Sequence, residues 1–336
     1  KMVFMRIAIV KLSALGDIVH AMVVLQFIKS FKQEILIDWV VEERYKDLLE
    51  NHPEVNKVHV VNLKKAKKQL LLSLIFDDLK RLRKLQLYDL VIDMQGLMKS
   101  AIVSKIISSN VTIGFSRTSA REGLASIFYT KRFKIGYEKN IVERNFELIK
   151  FAFGLPLKID SLQDKLPFIF SRQVYKSLLL SSSRKNVLII PGASHSTKLY
   201  PVNKIAKLTK LLDANIIIIW GNQSERALAE EVKELNFNVN ITEQLSLNQL
   251  ISLVSQVDLV IGSDTGPTHF AWASNIPSIT LFGSTPGYRN TLTSKKNQII
   301  ESKSKVNPLK IDKEDYSIQE IKVEEILVIA NRLLTD

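Results

Sequence analysis

Short runs of β-branched and aliphatic residues alternate with longer segments of helical periodicity along the whole chain. This alternation is typical of parallel β-sheets whose two faces are covered by helices. Two Rossmann-like halves, meeting near a Ser-rich, weakly periodic stretch at residues 160–185, are the simplest interpretation. We therefore predict an α/β protein with domains at residues 1–170 and 171–336, the second ending in a helix at 318–334. The predicted strands are residues 7–10, 35–41, 58–61, 90–92 and 111–115 in the first half and 186–190, 215–220, 237–241, 258–261 and 278–282 in the second.

The composition supports a folded protein of two domains. A chain of 336 residues is long enough for two domains of ~150 residues, each with its own core. Hydrophobic residues make up 46% and charged residues 24%, an ordinary globular mixture that excludes wholesale disorder. Cysteine is absent, which excludes disulfides, thiolate metal sites and cysteine nucleophiles and is compatible with a reducing compartment.

The chain is strongly basic, with 47 Lys and Arg against 34 Asp and Glu and a net charge of +13. Such a charge favours an anionic partner, which is nucleic acid, an anionic membrane surface or a phosphorylated substrate. The apolar runs, such as residues 216–220, fall far short of the ~20 residues that a membrane span needs. Residues 1–6 run quickly into Lys11 and Asp17 and leave neither the apolar core nor the small-residue cleavage site of a secretory leader, so we expect a cytoplasmic protein.

Residues 64–84 carry eight basic residues and two acids, with apolar side chains at helical spacing. This amphipathic pattern has two interpretations. The segment is either a solvated helix with one face in the core, or a contact for an anionic lipid or a phosphorylated glycolipid.

The loop after the first predicted strand places a carboxylate where a strand passes into a helix. A dinucleotide site would need three spaced glycines at this turn, but only Gly16 is present, so the turn does not favour NAD binding. Asp17 follows Gly16, near the edge of the sheet where the ligands of open α/β folds bind. It is therefore either a catalytic group or the N-cap of the following helix.

In the second half, two strand ends favour phosphate binding. Lys198 follows the strand at 186–190, in a loop of small and hydroxyl residues that leave backbone N–H groups accessible; the alternative is an ordinary loop with a surface lysine. A more specific signal is Asp264-Thr265-Gly266, through which a buried strand passes into a helix. The amides of Thr265 and Gly266, at the positive end of that helix, suit a diphosphate without a metal. Aspartic proteases also contain Asp-Thr-Gly, but their paired carboxylates on β-rich folds do not match this α/β pattern.

Two further residues have a functional and a structural interpretation each. Glu225 either accepts hydrogen bonds from ribose hydroxyls or is a first-turn glutamate favoured by the helix dipole. His269 either contacts the ligand or is a helix-face histidine satisfied by the backbone. No D-x-D pair and no clustered histidines occur, so no metal dependence is expected.

Four blocks of the chain resemble the ADP-heptose:lipopolysaccharide heptosyltransferases, which are inverting glycosyltransferases of the GT-B fold. They are Lys11-x-Ser13-x-x-Gly16-Asp17-x-x-His20, Asp93-Met94-Gln95-Gly96, the Lys198 loop and Asp264-Thr265-Gly266-x-x-His269. The blocks occur in the family's order and extend over nearly the whole chain. Residues 95–101, 120–126 and 142–144 are most similar to the heptosyltransferase I branch, which adds the first heptose to a 3-deoxy-manno-octulosonic acid (Kdo) residue of Kdo-lipid A. One departure is Ala193-Ser194, where the family often has two adjacent hydroxyl residues.

The resemblance implies a GT-B architecture in which the parallel sheets of two domains face a central cleft. The first domain would bind the acceptor and the second the ADP-sugar, with Asp17 as the catalytic base. Donor contacts would fall to Lys11, Ser194, Lys198, Glu225, Asp264, Thr265, Gly266 and His269, and acceptor contacts to Gln95, Lys99, Arg121 and Arg144. The implied substrates are ADP-heptose and Kdo-lipid A, without cofactor or metal. The implied location is the cytoplasmic face of the inner membrane, with which the protein would be peripherally associated.

The implied reaction transfers L-glycero-D-manno-heptose from ADP-heptose to Kdo with inversion, after the two domains close over the donor. Alternatives of the same class are a heptosyltransferase II-like enzyme or another GT-B glycosyltransferase with a different acceptor or sugar nucleotide. A nucleic-acid binder is suggested only by the net charge of +13, and no recognisable binding module supports it.

Overall fold

The computed structural model describes residues 5–69, 72–156 and 158–335, and the chain divides into two compact units. The first unit ends at Phe168 and the second begins at Ile169. Each unit contains one six-stranded parallel sheet with helices packed on it, so the predicted α/β class is confirmed. Residues 1–4, on which the absence of a leader was partly inferred, lie outside the described part of the chain.

The first unit is a doubly wound sheet in the order β3-β2-β1-β4-β5-β6, with every neighbouring pair parallel. Its elements are β1 (Arg6–Val10), α1 (Leu15–Met22), α2 (Val24–Phe31), β2 (Leu36–Glu42), α3 (Lys46–Leu49), β3 (Lys57–Val61), α4 (Leu63–Gln69), α5 (Leu72–Arg83), β4 (Tyr88–Asp93), α6 (Met98–Ile106), β5 (Ser109–Phe115), β6 (Lys131–Phe133) and α7 (Ile141–Phe153), with 3₁₀ turns at Glu43–Tyr45, Gly123–Phe128 and Ile159–Asp164. The order reverses between β1 and β4, which makes their carboxyl ends the switch point of the sheet.

The second unit repeats this topology in the order β12-β11-β10-β7-β8-β9. Its elements are β7 (Asn186–Ile190), α8 (Val202–Leu211), β8 (Asn215–Ile218), α9 (Gln223–Leu235), β9 (Asn240–Ile241), α10 (Leu247–Val254), β10 (Leu259–Ser263), α11 (Gly266–Ala273), β11 (Ser278–Phe282), α12 (Gly287–Asn290), β12 (Asn297–Glu301) and α13 (Val323–Thr335), with 3₁₀ turns at Ser196–Lys198 and Ser317–Glu320. Here the switch point lies between β7 and β10.

The central strands form the cores because both faces of each sheet are covered. Every residue of β7, β10 and β11 is buried. The sequences of these strands are therefore nearly continuous apolar runs and do not alternate between apolar and polar residues. The last helix, α13, buries Ile326, Ala330 and Leu333 at helical spacing in the core of the second unit. The terminal helix therefore belongs to the second half, and it begins at Val323, after a 3₁₀ turn, and not at 318 as predicted.

The sequence prediction missed β6 and β12 and overextended two strands. β6 has three residues, two of them exposed bases, and β12 begins with Asn297 and Gln298, so neither carries a strong apolar signal. The strand predicted at 215–220 ends at Ile218, and the one predicted at 237–241 is reduced to Asn240–Ile241. All four differences lie at sheet edges or strand ends, where pairing and not hydrophobicity decides the boundary.

Candidate active site

The carboxyl ends of β7 and β10 meet at the switch point of the second sheet. In open α/β sheets such a point is where ligands bind. The loop after β7 carries Ser194, which is exposed, and Lys198, which is buried; the turn after β10 carries Asp264, Thr265 and Gly266. The structure therefore brings the two predicted phosphate-binding segments to one edge of one sheet.

Asp264 lies at the centre of this edge, 8% exposed, and its carboxylate accepts hydrogen bonds from four side chains. Nζ of Lys198 lies 2.7 Å from Oδ2, and Nε2 of His269 lies 3.2 Å from Oδ1. Thr285 Oγ1 and Asn290 Nδ2 also donate to Oδ2, at 2.9 and 3.3 Å. These five residues are called the Asp264 cluster below. Thr285 and Asn290 were not predicted from the sequence.

The contacts of the cluster keep Asp264 ionised. Burial alone would raise the pKa of Asp264, but the hydrogen bond from His269 and the Lys198 ammonium outweigh it and hold that pKa well below its ordinary value. Lys198 in turn donates two of its three N–H groups to Asp264, one to Oδ2 and one to the main-chain oxygen at 3.2 Å. Its third N–H has no partner among the described residues, so it is the donor that an incoming anion would meet.

Helix α11 begins beside the cluster, with Thr265 as its N-cap residue. Pro267 occupies the first turn, where its missing N–H leaves no bond unmade. The Thr268 hydroxyl donates to the carbonyl of Ser263 at 2.9 Å and so fixes the start of the helix to the end of β10. Thr265 and Gly266 are partly exposed. The helix start therefore offers accessible amides at the positive end of a helix, an arrangement that binds phosphate.

Glu225 lies in the first turn of α9, where its Oε2 accepts from the N–H of Gly221 at 2.7 Å. Gly192, in the loop after β7, packs directly on this side chain, since a Cβ at position 192 would lie 2.4 Å from Cδ of Glu225. A larger residue at position 192 would have to displace the Glu225 side chain, so the loops after β7 and β8 share one surface. The first-turn interpretation of Glu225 is confirmed, and the ribose contact stays a prediction.

The corresponding switch point of the first sheet carries Asp17. Its side chain is exposed in the first turn of α1, and its Oδ2 accepts from the N–H of Ala14 at 3.1 Å. Ala14 is the N-cap residue, so the N-cap position considered for Asp17 is wrong, although the carboxylate does satisfy a backbone donor at the helix start. Oδ1 of Asp17 accepts no hydrogen bond from the described residues, and the side chain is exposed.

Gln95 and Lys99 lie beside the loop that leads to Asp17. Oε1 of Gln95 accepts from the Ser13 N–H at 3.3 Å, and Nζ of Lys99 lies 3.3 Å from Ser13 Oγ. The turn that carries Gln95 is held by Asp93, a fully buried carboxylate that accepts from the Gln95 N–H at 2.8 Å. Burial raises the pKa of Asp93. The structure thus brings two of the predicted acceptor residues to the same sheet edge as the predicted base.

Two buried charged residues border this loop. Lys11 is 3% exposed, and its Nζ donates to the Met94 carbonyl at 3.0 Å; unlike the other predicted donor contacts, it belongs to the first unit. Glu42, at the end of β2, is 3% exposed and was not predicted. Its Oε1 has no hydrogen-bond partner among the described residues. Burial raises the pKa of Glu42, although the positive charges of Lys99 and Arg44 oppose the shift.

The two predicted acceptor arginines lie in different surroundings, because Arg121 is exposed and Arg144 is 2% exposed. The Arg144 guanidinium donates to the carbonyls of Gly136 at 2.5 Å and Ser119 at 2.6 Å. It also lies over the Phe115 ring, 4.6 Å from the centroid. These contacts join two loops and favour a positioning role, so direct acceptor contact by Arg144 stays a prediction.

The basic segment predicted at 64–84 is helical in α4 and α5, with Lys84 just after the end of α5 and residues 70 and 71 outside the described part of the chain. Leu82 is buried in the core of the first unit, whereas Phe76 is 69% exposed. One face therefore packs on the core, and contact of the other face with lipid stays a prediction.

Neither a metal site nor a membrane span is found in the described chain. Within residues 5–69, 72–156 and 158–335, no three His, Asp or Glu side chains come together in a way that could hold a metal ion. None of the helices described above combines the length and apolarity that crossing a bilayer requires.

The fold is that of the GT-B glycosyltransferases, as solved structures show. E. coli heptosyltransferase WaaC with ADP matches it with a TM-score of 0.80 at 24% identity, covering 98% of this chain and 100% of that one. A family 9 glycosyl transferase from Veillonella parvula matches with a TM-score of 0.84 at 16% identity, covering 100% and 98%. At these identities the likeness concerns the fold, and the predicted fold class is confirmed.

Sequence comparison identifies the family within the proteins of this fold. Residues 78–317 match the profile of glycosyltransferase family 9 (heptosyltransferase), and the chain belongs to that family. It is 40% identical over 351 residues to lipopolysaccharide heptosyltransferase 1 of Campylobacter coli, covering 99% of this chain and 100% of that protein. Lipopolysaccharide heptosyltransferase 1 of Escherichia coli K12 is 30% identical over 290 residues, covering 84% and 89%.

Proposed function

We propose that this protein is an inverting glycosyltransferase that moves L-glycero-D-manno-heptose from ADP-heptose to the Kdo residue of Kdo-lipid A. The family membership and the curated relatives named lipopolysaccharide heptosyltransferase 1 support this proposal. The E. coli protein of the same fold was solved with ADP and with ADP-2-deoxy-2-fluoro heptose, which supports the donor class. The observation that carries the proposal is the Asp264 cluster beside the start of α11.

In this proposal the second domain, residues 171–336, binds the donor. The diphosphate is held by the amides of Thr265 and Gly266, the third N–H of Lys198 and the Ser194 hydroxyl. Outside the diphosphate, Glu225 accepts a hydrogen bond from the ribose, while Asp264, His269 and Lys11 contact the sugar. The ionised Asp264 does not repel the diphosphate strongly, because Lys198 and its other donors offset its charge.

Asp17 acts as the general base on the acceptor. The acceptor oxygen attacks the anomeric carbon of heptose from the face opposite ADP, and its proton passes to the Asp17 carboxylate. The new glycosidic bond forms as the bond from carbon to the diphosphate oxygen breaks, so the configuration inverts. Negative charge develops on the departing ADP, where Lys198 and the amides at the start of α11 stabilise it.

The acceptor is proposed to bind to the first domain, residues 1–170. Gln95 and Lys99 already lie beside the Asp17 loop. The exposed guanidinium of Arg121 can form the bidentate contact that a Kdo carboxylate or a lipid A phosphate favours. Arg144 supports this region through its main-chain contacts. A lipid-linked acceptor also implies that the protein works at the cytoplasmic face of the inner membrane, in peripheral association.

The test is a transfer assay with ADP-heptose and Kdo-lipid A, comparing wild type with Asp17→Asn. Asn keeps an oxygen for the Ala14 N–H but cannot take a proton, so turnover should fall by about 10²–10⁴-fold. ADP affinity, measured by calorimetry, should not change. Asp213→Asn, at a fully exposed carboxylate, is the matched control and should leave both quantities unchanged. Wild-type turnover by Asp17→Asn would refute the assignment of the base.

A donor panel decides between this function and a related one. ADP-heptose, UDP-sugars and GDP-sugars are offered with Kdo-lipid A and, separately, with an acceptor that already carries the first heptose. Preference for another sugar nucleotide, or for the heptosylated acceptor, would replace the proposed substrate while keeping the reaction class.

A further inference from the structure

Two neighbouring elements of the first unit expose large apolar side chains to solvent. On the 3₁₀ turn Gly123–Phe128, Leu124 is 59% exposed and Ile127 is 63% exposed. On α6, Ile102 is 39% exposed. Isolated exposed apolar residues need no explanation, but three on adjoining elements do.

The geometry of the two elements groups these side chains. A 3₁₀ helix has three residues per turn, so Leu124 and Ile127 project from the same face. Ala125, between them, is fully buried and packs with Ala101 of α6. Ile102 directly follows Ala101 on α6, the helix that packs on this turn, and is exposed. We call Ile102, Leu124 and Ile127 the apolar patch.

Positive charge surrounds the apolar patch. Residues 97–135 contain seven Lys or Arg and one acid, Glu122. Lys105 is exposed one helical turn after Ile102, and Arg121 is exposed three residues before Leu124. Arg132, also exposed, donates through Nε to the Ser126 carbonyl at 2.7 Å and so lies against the 3₁₀ turn. Oε2 of Glu122 accepts from the Met98 N–H at 2.6 Å.

We propose that the apolar patch and its ring of bases dock on an anionic lipid bilayer, with Leu124 and Ile127 entering the headgroup layer. Apolar side chains framed by Lys and Arg are the arrangement that binds anionic membranes, because burial and charge attraction add. A water-soluble anion would use the bases but has no need of Leu124 or Ile127. This inference rests on the proposed function, since a lipid-linked acceptor requires such a surface.

The position of the patch relates it to the reaction. Lys99, one turn before Ile102 on α6, reaches the Ser13 hydroxyl at 3.3 Å and thereby joins the patch to the Asp17 loop. Docking through this face would place the proposed base next to the membrane surface from which the Kdo residue projects. The patch is thus the part of the first unit that presents a membrane-bound sugar to Asp17.

The experiment measures co-flotation of the full chain with phosphatidylethanolamine vesicles that contain phosphatidylglycerol, and with phosphatidylcholine vesicles. The double variant L124S/I127S should bind the anionic vesicles at least about tenfold more weakly than wild type, because both apolar anchors are lost. The control L178S/F237S removes apolar residues that are 100% and 81% exposed on the second unit, and should bind like wild type. Equal binding by L124S/I127S and wild type would overturn the proposal.

Activity separates this inference from the proposed function. With Kdo-lipid A in vesicles, L124S/I127S should lose kcat/KM in proportion to its binding, whereas with a Kdo glycoside lacking acyl chains it should match wild type. If wild type turns over neither acceptor, the proposed function fails, and vesicle binding still decides the role of the patch. A wild-type dimer that dissociates in L124S/I127S would instead make the patch an interface between two copies and overturn the lipid assignment.

Discussion

Replacing Asp264 with Asn tests whether charge holds the Asp264 cluster together. The carboxylate accepts from four side chains, whereas an amide oxygen has two lone pairs and its NH₂ group only donates. At least two donors therefore lose their acceptor in D264N. Lys198 also keeps its charge at 8% exposure without a counter-charge.

The expected loss of stability follows from this geometry. Removing one partner of a buried ion pair costs about 3–5 kcal/mol, because the remaining charge stays desolvated. For a unit of the size of Ile169–Asp336, 1 kcal/mol changes Tm by about 2–4 °C. D264N should therefore lower the melting temperature of the second unit by roughly 6–20 °C.

The pH dependence of this loss has a definite sign. Because the pKa of Asp264 in the folded protein lies well below its ordinary value of 3.8, the stabilisation is fully present above that value. It is lost only as the pH falls through the lower, folded pKa. The Tm difference between wild type and D264N should therefore be constant at neutral and mildly acidic pH and shrink below pH 3.8.

Calorimetric melting of four variants checks the reasoning. K198M should also destabilise, but the double variant K198M/D264N should lose less than the sum of the two single changes, by at least about 1 kcal/mol. K185M is the matched control, since Lys185 pairs with Asp258 at 3.2 Å while 55% exposed, and its removal should cost less than about 1 kcal/mol. A D264N protein that melts within 2 °C of wild type, or strictly additive losses, would refute a charge-held cluster.

Two further predictions concern the first unit. Burial raises the pKa of Glu42 above its ordinary 4.5, so the stability of wild type declines as the pH rises from 4.5 through the pKa of the folded protein. The E42Q variant lacks this decline and should have a higher Tm than wild type at pH 8. Melting curves over a pH series measure the difference. Parallel pH profiles would contradict it. R144M should lose about 3 kcal/mol of stability with its buried hydrogen bonds to main-chain carbonyls, whereas R121M should keep its Tm and raise KM for the acceptor. An R144M protein as stable as wild type would contradict the positioning role.

The central strands were the part of the fold that the sequence predicts well, because each is a run of apolar residues. The strands near the centre of each sheet are buried on both faces, and their β-branched runs predicted them to within two residues or so at each end. The edges were not predictable in this way. β6 carries two bases in three residues, and its place is decided by pairing with β5, a contact between residues 18 positions apart that no local pattern records.

In the candidate site, too, the residues of one local motif could be predicted from the sequence, whereas residues brought in from distant segments could not. The Asp264-Thr265-Gly266 segment could be predicted as a candidate site because the strand end, the carboxylate and the helix start lie within one short stretch of sequence. Thr285 and Asn290, which complete the cluster, come from segments after β11 that carry no recognisable motif. Glu42 was missed for a related reason, since an acid at the end of a strand looks exposed until its neighbours in space are known.

A carboxylate at the centre of the proposed diphosphate site looks unfavourable, since two anions repel each other. The contacts of Asp264 remove this difficulty, because each carboxylate oxygen already accepts a hydrogen bond and the Lys198 ammonium offsets the negative charge. Its effect is then to hold Lys198 in a single orientation, with two N–H groups fixed and one left for the ligand. In the proposed site, the attraction for the diphosphate comes from that remaining N–H and from the start of α11, whose amides carry partial positive charge without a mobile side chain. Because neither group would have to reorganise as ADP departs, the contacts proposed to bind the donor would also favour the charge that develops in the transition state.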